Sequence, residues 1–183
     1  TVNSQVHFEQ MFCDGITLTN CSASDGDGDI STEAYFHPLV GSQNISYIDC
    51  AATGGGFLGF SMLASVRPLA NILIENCQIE LTSPSMGSAL IALGGLPVEG
   101  LTIVDSSFIA HNYIAIRLGG VTGTASESYF QGGLMAMQVT TSGDGTPSQF
   151  VVSDSVALGL NDPAKQLGVA GVQVQHAQVG AKA

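Results

Sequence analysis

Apolar residues in this chain fall in short alternating runs, and the runs themselves recur. ITLTNCSA from Ile16, ISYIDCAA from Ile45, ILIENCQI from Ile72, LTIVDSSF from Leu101, GTASESYF from Gly123 and FVVSDSVA from Phe150 share one pattern. Each reads apolar, any, apolar, any, then Asn, Asp or Glu, then Cys or Ser; the Gly123 copy is weakest, and VQVQHAQV from Val172 is a degenerate seventh. The Cys/Ser column falls at 21, 50, 77, 106, 128 and 155, so successive copies lie 29, 27, 29, 22 and 27 residues apart. Alternation with period two predicts strands, because neighbouring side chains of a strand point to opposite faces. Further strand-like runs lie between the copies: GFLGFSML around Phe57, SALIALGG around Leu90, YIAIRLGG around Ile114 and LMAMQVT around Met135. Leucine-rich repeats have a similar period, but leucine is not the repeated residue here and no helical spacing separates the runs. Two or three short strands per repeat, joined by Gly and Ser turns, predict an all-β solenoid, a parallel β-helix of about six to seven coils. Parallel crossovers are overwhelmingly right-handed, so a right-handed coil is expected.

In ILIENCQI, Ile72 and Ile74 fall on the core face, and strict alternation would carry Asn76 inward with them. The next apolar residue is Ile79, an odd step beyond Ile74, so alternation must break once, at Asn76–Cys77. Asn and Asp tolerate the left-handed backbone that such a corner needs. Asn20, Asp49, Asn76, Asp105 and Asp154 are therefore expected to stack as a ladder along one corner. Cys21, Cys50, Cys77, Ser106, Ser128 and Ser155 would sit beside it, where small thiols and hydroxyls suit a tight buried bend. Asp49, Asp105, Glu127 and Asp154 thus read as structural carboxylates. Three of the four cysteines gain a place in the repeat as free thiols, and the absence of CxxC or His-spaced sets argues against zinc. Of two sequons, Asn20-Cys-Ser is expected to be out of a glycan's reach and Asn44-Ile-Ser within it.

On ISYIDC (45–50), ILIENCQI (72–79) and LTIVDSSF (101–108), the chain resembles the right-handed parallel β-helix superfamily of pectate-lyase-like enzymes, polygalacturonases, mannuronan epimerases and phage tailspikes. The pattern covers most of the chain and is specific for fold. The resemblance implies an extracellular, cell-surface or virion-surface β-helix that binds or processes polysaccharide. The alternative is a structural rod: a stalk, adhesin segment, tailspike shaft or filament subunit. Residues 1–183 read as a single β-helix domain. VHFEQMF (6–12) looks like the second strand of a coil whose first is missing, so the domain is expected to be a segment of a larger protein or assembly.

Charge narrows the partners. Four Lys and Arg stand against 15 Asp and Glu, a formal charge of −11 that repels phosphate backbones and makes nucleic acid a poor partner. Apolar runs are broken well before the ~20 residues of a membrane helix, so membrane insertion is not expected. Ala89, Ala92 and Ala115 read as small outward positions, suited to packing between rods in a homo-oligomer such as a trimer.

Candidate chemistry is sparse. Asp25, Asp27 and Asp29 alternate with Gly, and Glu33 follows; such a set can converge on Ca²⁺, although Ile30 and Phe36 depart from an EF-hand loop. Arg117 is one of two arginines. By the matching LGG endings at Leu93–Gly95 and Leu118–Gly120 it should lie beside Ala92, then Gln138, with Ala115 on the same outward face and Tyr113 and His111 just upstream. Arg117, Gln138, Tyr113 and His111 together suit sugar hydroxyls and carboxylates. Catalytic residues stay unassigned. The four Lys and Arg argue against a complete lyase site, a two-acid hydrolase stays open with no pair to name, and His7 and His37 lack a Ser or Asp at motif spacing.

Overall fold

The computed structural model describes residues 6–24, 34–84 and 87–159, with the backbone of two further strands at 172–174 and 178–182. The first coil holds β1 (Val6–Met11), β2 (Thr17–Thr19) and β3 (Ser22–Ser24); the second holds β4 (Ala34–Leu39), β5 (Gln43–Ile48) and β6 (Ala51–Gly54). Next come β7 (Leu58–Met62), β8 (Leu69–Glu75) and β9 (Gln78–Leu81), then β10 (Ser88–Ala92), β11 (Val98–Val104) and β12 (Ser107–Ala110). The fifth coil holds β13 (Ile114–Gly119), β14 (Val121–Ser126) and β15 (Tyr129–Gly132). The sixth holds β16 (Met135–Thr140), β17 (Gln149–Ser153) and β18 (Val156–Gly159), followed by β19 (Val172–Val174) and β20 (Gln178–Lys182). Every third strand pairs in parallel, giving sheet A from β1 to β19, sheet B from β2 to β20 and sheet C from β3 to β18. The chain is a parallel β-helix. The six stacked strands of sheet C enclose five complete turns; the expected six to seven counted repeats rather than the intervals between them.

The corner between sheets B and C follows the repeat. Asn20, Asp49, Asn76, Asp105, Glu127 and Asp154 all have positive φ, between 47° and 54°. Each coil turns through one left-handed residue, whose N–H still bonds to the next coil: Asp49 N to Glu75 O at 3.1 Å, Asn76 N to Val104 O at 3.1 Å. Asn76 Nδ2 also donates to Asp49 Oδ1 at 2.6 Å. Asn76 itself is exposed, not inward, because the left-handed step resets the alternation at that residue rather than after it. Asn20 is exposed for the same reason, so the ladder does not hide its sequon.

The following residue turns in. Ser106 Oγ donates to Val104 O at 2.8 Å and Ser128 Oγ to Ser126 O at 2.7 Å. Cys50 Sγ and Cys77 Sγ reach the equivalent carbonyls of Ile48 and Glu75 at 3.4 and 3.3 Å. Thiol and hydroxyl thus perform one task, which is why they interchange in the repeat. All four cysteines are free.

Ile74 and Ile103 are fully buried. Along the axis Phe8, Phe36 and Phe60 stack at 5.2 and 4.8 Å between centroids, Phe108 and Phe130 continue at 5.7 Å, and Tyr47 meets Phe36 and Phe60 edge-on. Both edge-on and offset-stacked rings are favoured geometries.

Sheet A departs from simple alternation. Ala89, Ala92 and Ala115 are not outward; all three belong to the buried core cluster. Ala115 and Ile116 both face the core, so the strand bends between them. The bend lets sheet A approach sheet C: a Cβ added at Gly59, one position before core residue Phe60, would come within 2.4 Å of Ile79 Cγ2. The fifth coil is the short one. Relative to the coil before it, the turn from sheet C to A loses three residues, the turn from A to B loses three, and β14 lacks one residue of β11, while the B–C corner keeps its length.

Two outcomes are expected. Glu127 is the ladder residue least suited to a left-handed backbone, a conformation that costs ordinary residues about 1–2 kcal/mol. Glu127→Asn should therefore raise stability by roughly 0.5–1 kcal/mol in urea unfolding, with an unchanged slope. Burial pushes the Cys77 thiol up to about 12, so in the folded protein it should alkylate more slowly than Cys13 and Cys21, which are partly exposed. After unfolding without reductant all four should react; linked cysteine peptides would contradict the free-thiol ladder.

Candidate functional site

The outer face of sheet A carries one row of partly exposed side chains. Strand pairing sets Ile91 beside Arg117 and Arg117 beside Gln138. Arg117 is therefore next to Ile91, not Ala92. The LGG triplets are not equivalent: Ala92 pairs with Leu118, and Leu93 lies against Gly119, where an added Cβ would come within 2.6 Å of its Cδ2. Core positions Leu90, Ala92, Ile116 and Leu118 set the register, and the glycines adapt to it.

Arg117 Nε donates to Gln138 Oε1 at 3.1 Å, and the guanidinium carbon lies 5.6 Å from the centre of the Tyr113 ring. Both contacts hold the long side chain against the sheet. Among the described residues Arg117 forms no salt bridge. The cluster is rich in N–H donors, the remaining guanidinium groups and the Gln138 amide, beside the Tyr113 hydroxyl. Ala115, expected to share this face, is in the core.

His111 is held elsewhere. Its Nε2 lies 2.8 Å from Glu80 Oε1 of β9, which draws it towards sheet C. Both partners are well exposed, at 42% and 51%, so the pair contributes little to stability. The structure thus gathers Arg117, Gln138 and Tyr113 by direct contact and ties His111 to Glu80. Asp25, Asp27, Asp29 and Glu33 lie outside the described residues. Among the described residues no three His, Cys, Asp or Glu side chains come together as a metal site.

The same row runs in the other direction to residues that spacing along the chain could not associate. Glu9 pairs with His37, and Ser61 follows His37 in register on β7, since Phe36 pairs with Phe60. Carboxylate, imidazole and hydroxyl are thus neighbours on successive strands. They do not form a nucleophile, because both His37 ring nitrogens and Ser61 Oγ are enclosed without a hydrogen bond and Ser61 is only 1% exposed. Burial lowers the His37 pKa, opposed by the charge of Glu9, so the imidazole is neutral at pH 7.

No family model matches the chain, and searches of curated proteins and of solved structures find no significant match.

His37 makes stability depend on pH. The unfolded chain protonates this histidine near 6.5, the folded protein only below that. Between the two values the unfolded state holds more protons, so stability should fall as pH drops below about 6.5. His37→Gln should remove that part of the slope when melting temperature is followed against pH; parallel profiles for the two proteins would mean that the imidazole is solvated.

Proposed function

We propose that this β-helix works outside the cytoplasm, at a cell or virion surface or free, and binds polysaccharide through the outer face of sheet A around Arg117. The observation that carries the reading is an arginine that forms no salt bridge among the described residues of a chain of charge −11, bonded to Gln138 and lying over the Tyr113 ring. With no salt bridge among the described residues, Arg117 keeps its remaining donors for a ligand. A donor-rich cluster favours an acceptor-rich partner, and sugar hydroxyl and carboxylate oxygens fit that demand. The repeat's resemblance to pectate-lyase-like and tailspike β-helices supports the same partner class, and the reading is compatible with a homo-oligomer, a trimer included, that leaves Arg117 open. Processing of the glycan is not part of the proposal, because no pair of acids flanks Arg117 among the residues in contact with it.

A second reading, a structural rod, rests on the two aromatic stacks and the ladder of corner residues, which stiffen the solenoid whatever its surface binds.

Arg117→Ala separates the two. Loss of a charge-assisted contact should weaken binding to an acidic polysaccharide by about 1.5–3 kcal/mol, a tenfold or greater drop in affinity. Stability should move by no more than ~0.5 kcal/mol, as for most surface substitutions. Binding on a glycan array and mass by light scattering are measured on both proteins. Unchanged glycan binding, or none by either protein, would defeat the proposal, and an altered mass would favour the rod.

A further inference from the structure

We infer that the corner between sheets A and B in the first three coils is a contact surface for a second copy of this chain. Seven large apolar side chains are exposed among the described residues, and four belong to this corner: Met11 at 48%, Phe12 at 62%, Leu63 at 37% and Val66 at 69%. They form one ridge. Met11 pairs with Leu39 and Leu39 bridges to Leu63, so the row climbs the axis without a gap. Contiguous exposed apolar surface marks interaction sites, whereas scattered single residues do not.

The backbone supplies a second observation. Phe12 and Val40 have φ of 52° and 42°. A left-handed backbone is unfavourable for a bulky or β-branched residue, and neither position holds the Asn or Gly that tolerates it. Strain of this kind persists where the surface it shapes is used. Here the Phe12 turn holds its ring in solvent.

Charge selects the partner. Most of this acidic surface would repel a second copy, but the row from Met11 through Leu39 to Leu63 has no carboxylate. Asp14 and Arg67 flank it on the sheet B side, Asp14 bridged to Gln43 in the second coil and Arg67 packed on Gly41 in the same coil. A twofold axis crossing the ridge at the second coil, perpendicular to the solenoid, exchanges the first coil with the third. It therefore sets Met11 and Phe12 of one copy against Leu63 and Val66 of the other, and Asp14 opposite Arg67 twice. Such an isologous contact is self-complementary. Three coils span only about 10–15 Å, below the ~800 Å² per partner of a standard interface, so the dimer is reversible and dissociates on dilution.

Light scattering and sedimentation of the full chain over a dilution series test this. A mass rising to that of a dimer with concentration is expected. Val66→Asp and Phe12→Asn should weaken association by about tenfold or more. Melting should stay unchanged for Val66→Asp and should not fall for Phe12→Asn, because both side chains are exposed and Asn accepts the left-handed backbone at position 12. Arg67→Asp should weaken it as well, and the exchange Asp14→Arg with Arg67→Asp should restore it. A monomer up to the highest soluble concentration would assign the ridge to some other molecule and overturn the inference. So would a dimer indifferent to Val66→Asp, or one that the charge exchange fails to restore.

Discussion

A strand that must leave one sheet and enter another has to change direction without abandoning its hydrogen bonds. Here the change is made by one left-handed residue at the B–C corner. Its N–H still reaches the carbonyl of the next coil, and its short side chain stays outside, where Asn76 bonds Asp49. The residue after it turns inward and closes the bend with a thiol or hydroxyl on the carbonyl two positions back. Because every coil bends at the same place, the strands on either side stay in register, and register is what stacks Phe36 on Phe60 and Ile74 on Ile103. A slip of one residue in any coil would move its core face to solvent. Ring stacking and the burial of the isoleucines therefore both depend on the corner.

The solenoid's outer surface inherits this regularity, so side chains from distant parts of the sequence become neighbours about 4.8 Å apart. On sheet A the row changes character along the axis. Glu9, His37 and Ser61 occupy one end, Ile91 the middle, and Arg117 with Gln138 the other. That first end is chemically quiet despite its residue types, because the His37 nitrogens and Ser61 Oγ are enclosed. At the other end, Arg117 keeps unspent donors, since it forms no salt bridge among the described residues.

Much of the fold was readable from the repeat because its bend is local: the break in alternation between Ile74 and Ile79 fits within one copy. The ladder, the free thiols and the burial of Ile74 and Ile103 follow from that short stretch alone. Sheet A was less readable. Its bend between Ala115 and Ile116 goes with the close approach of a different sheet, where Ile79 leaves no room for a Cβ at Gly59, and no local pattern reports it. The offset of Arg117 from Ala92 has the same origin, since core packing rather than the LGG motif aligned the strands. Arg117, Gln138 and Tyr113 could be associated because they lie within one repeat of each other. Glu9, His37 and Ser61 could not, as their adjacency exists only after three coils have stacked.

The short fifth coil shows where this architecture accepts change in length. Its missing residues come from the two turns beside sheet A and from the start of β14, and none from the B–C corner. A gene encoding such a chain can therefore lose or gain codons at those turns with little effect on the stack. It can also recombine with itself wherever two copies of the corner align: exchange between the codons of Asn76 and Asp105 would remove one whole coil and rejoin a left-handed residue to its usual inward neighbour. The length of the solenoid is thus open to variation in units of a coil, while each coil's cross-section is not.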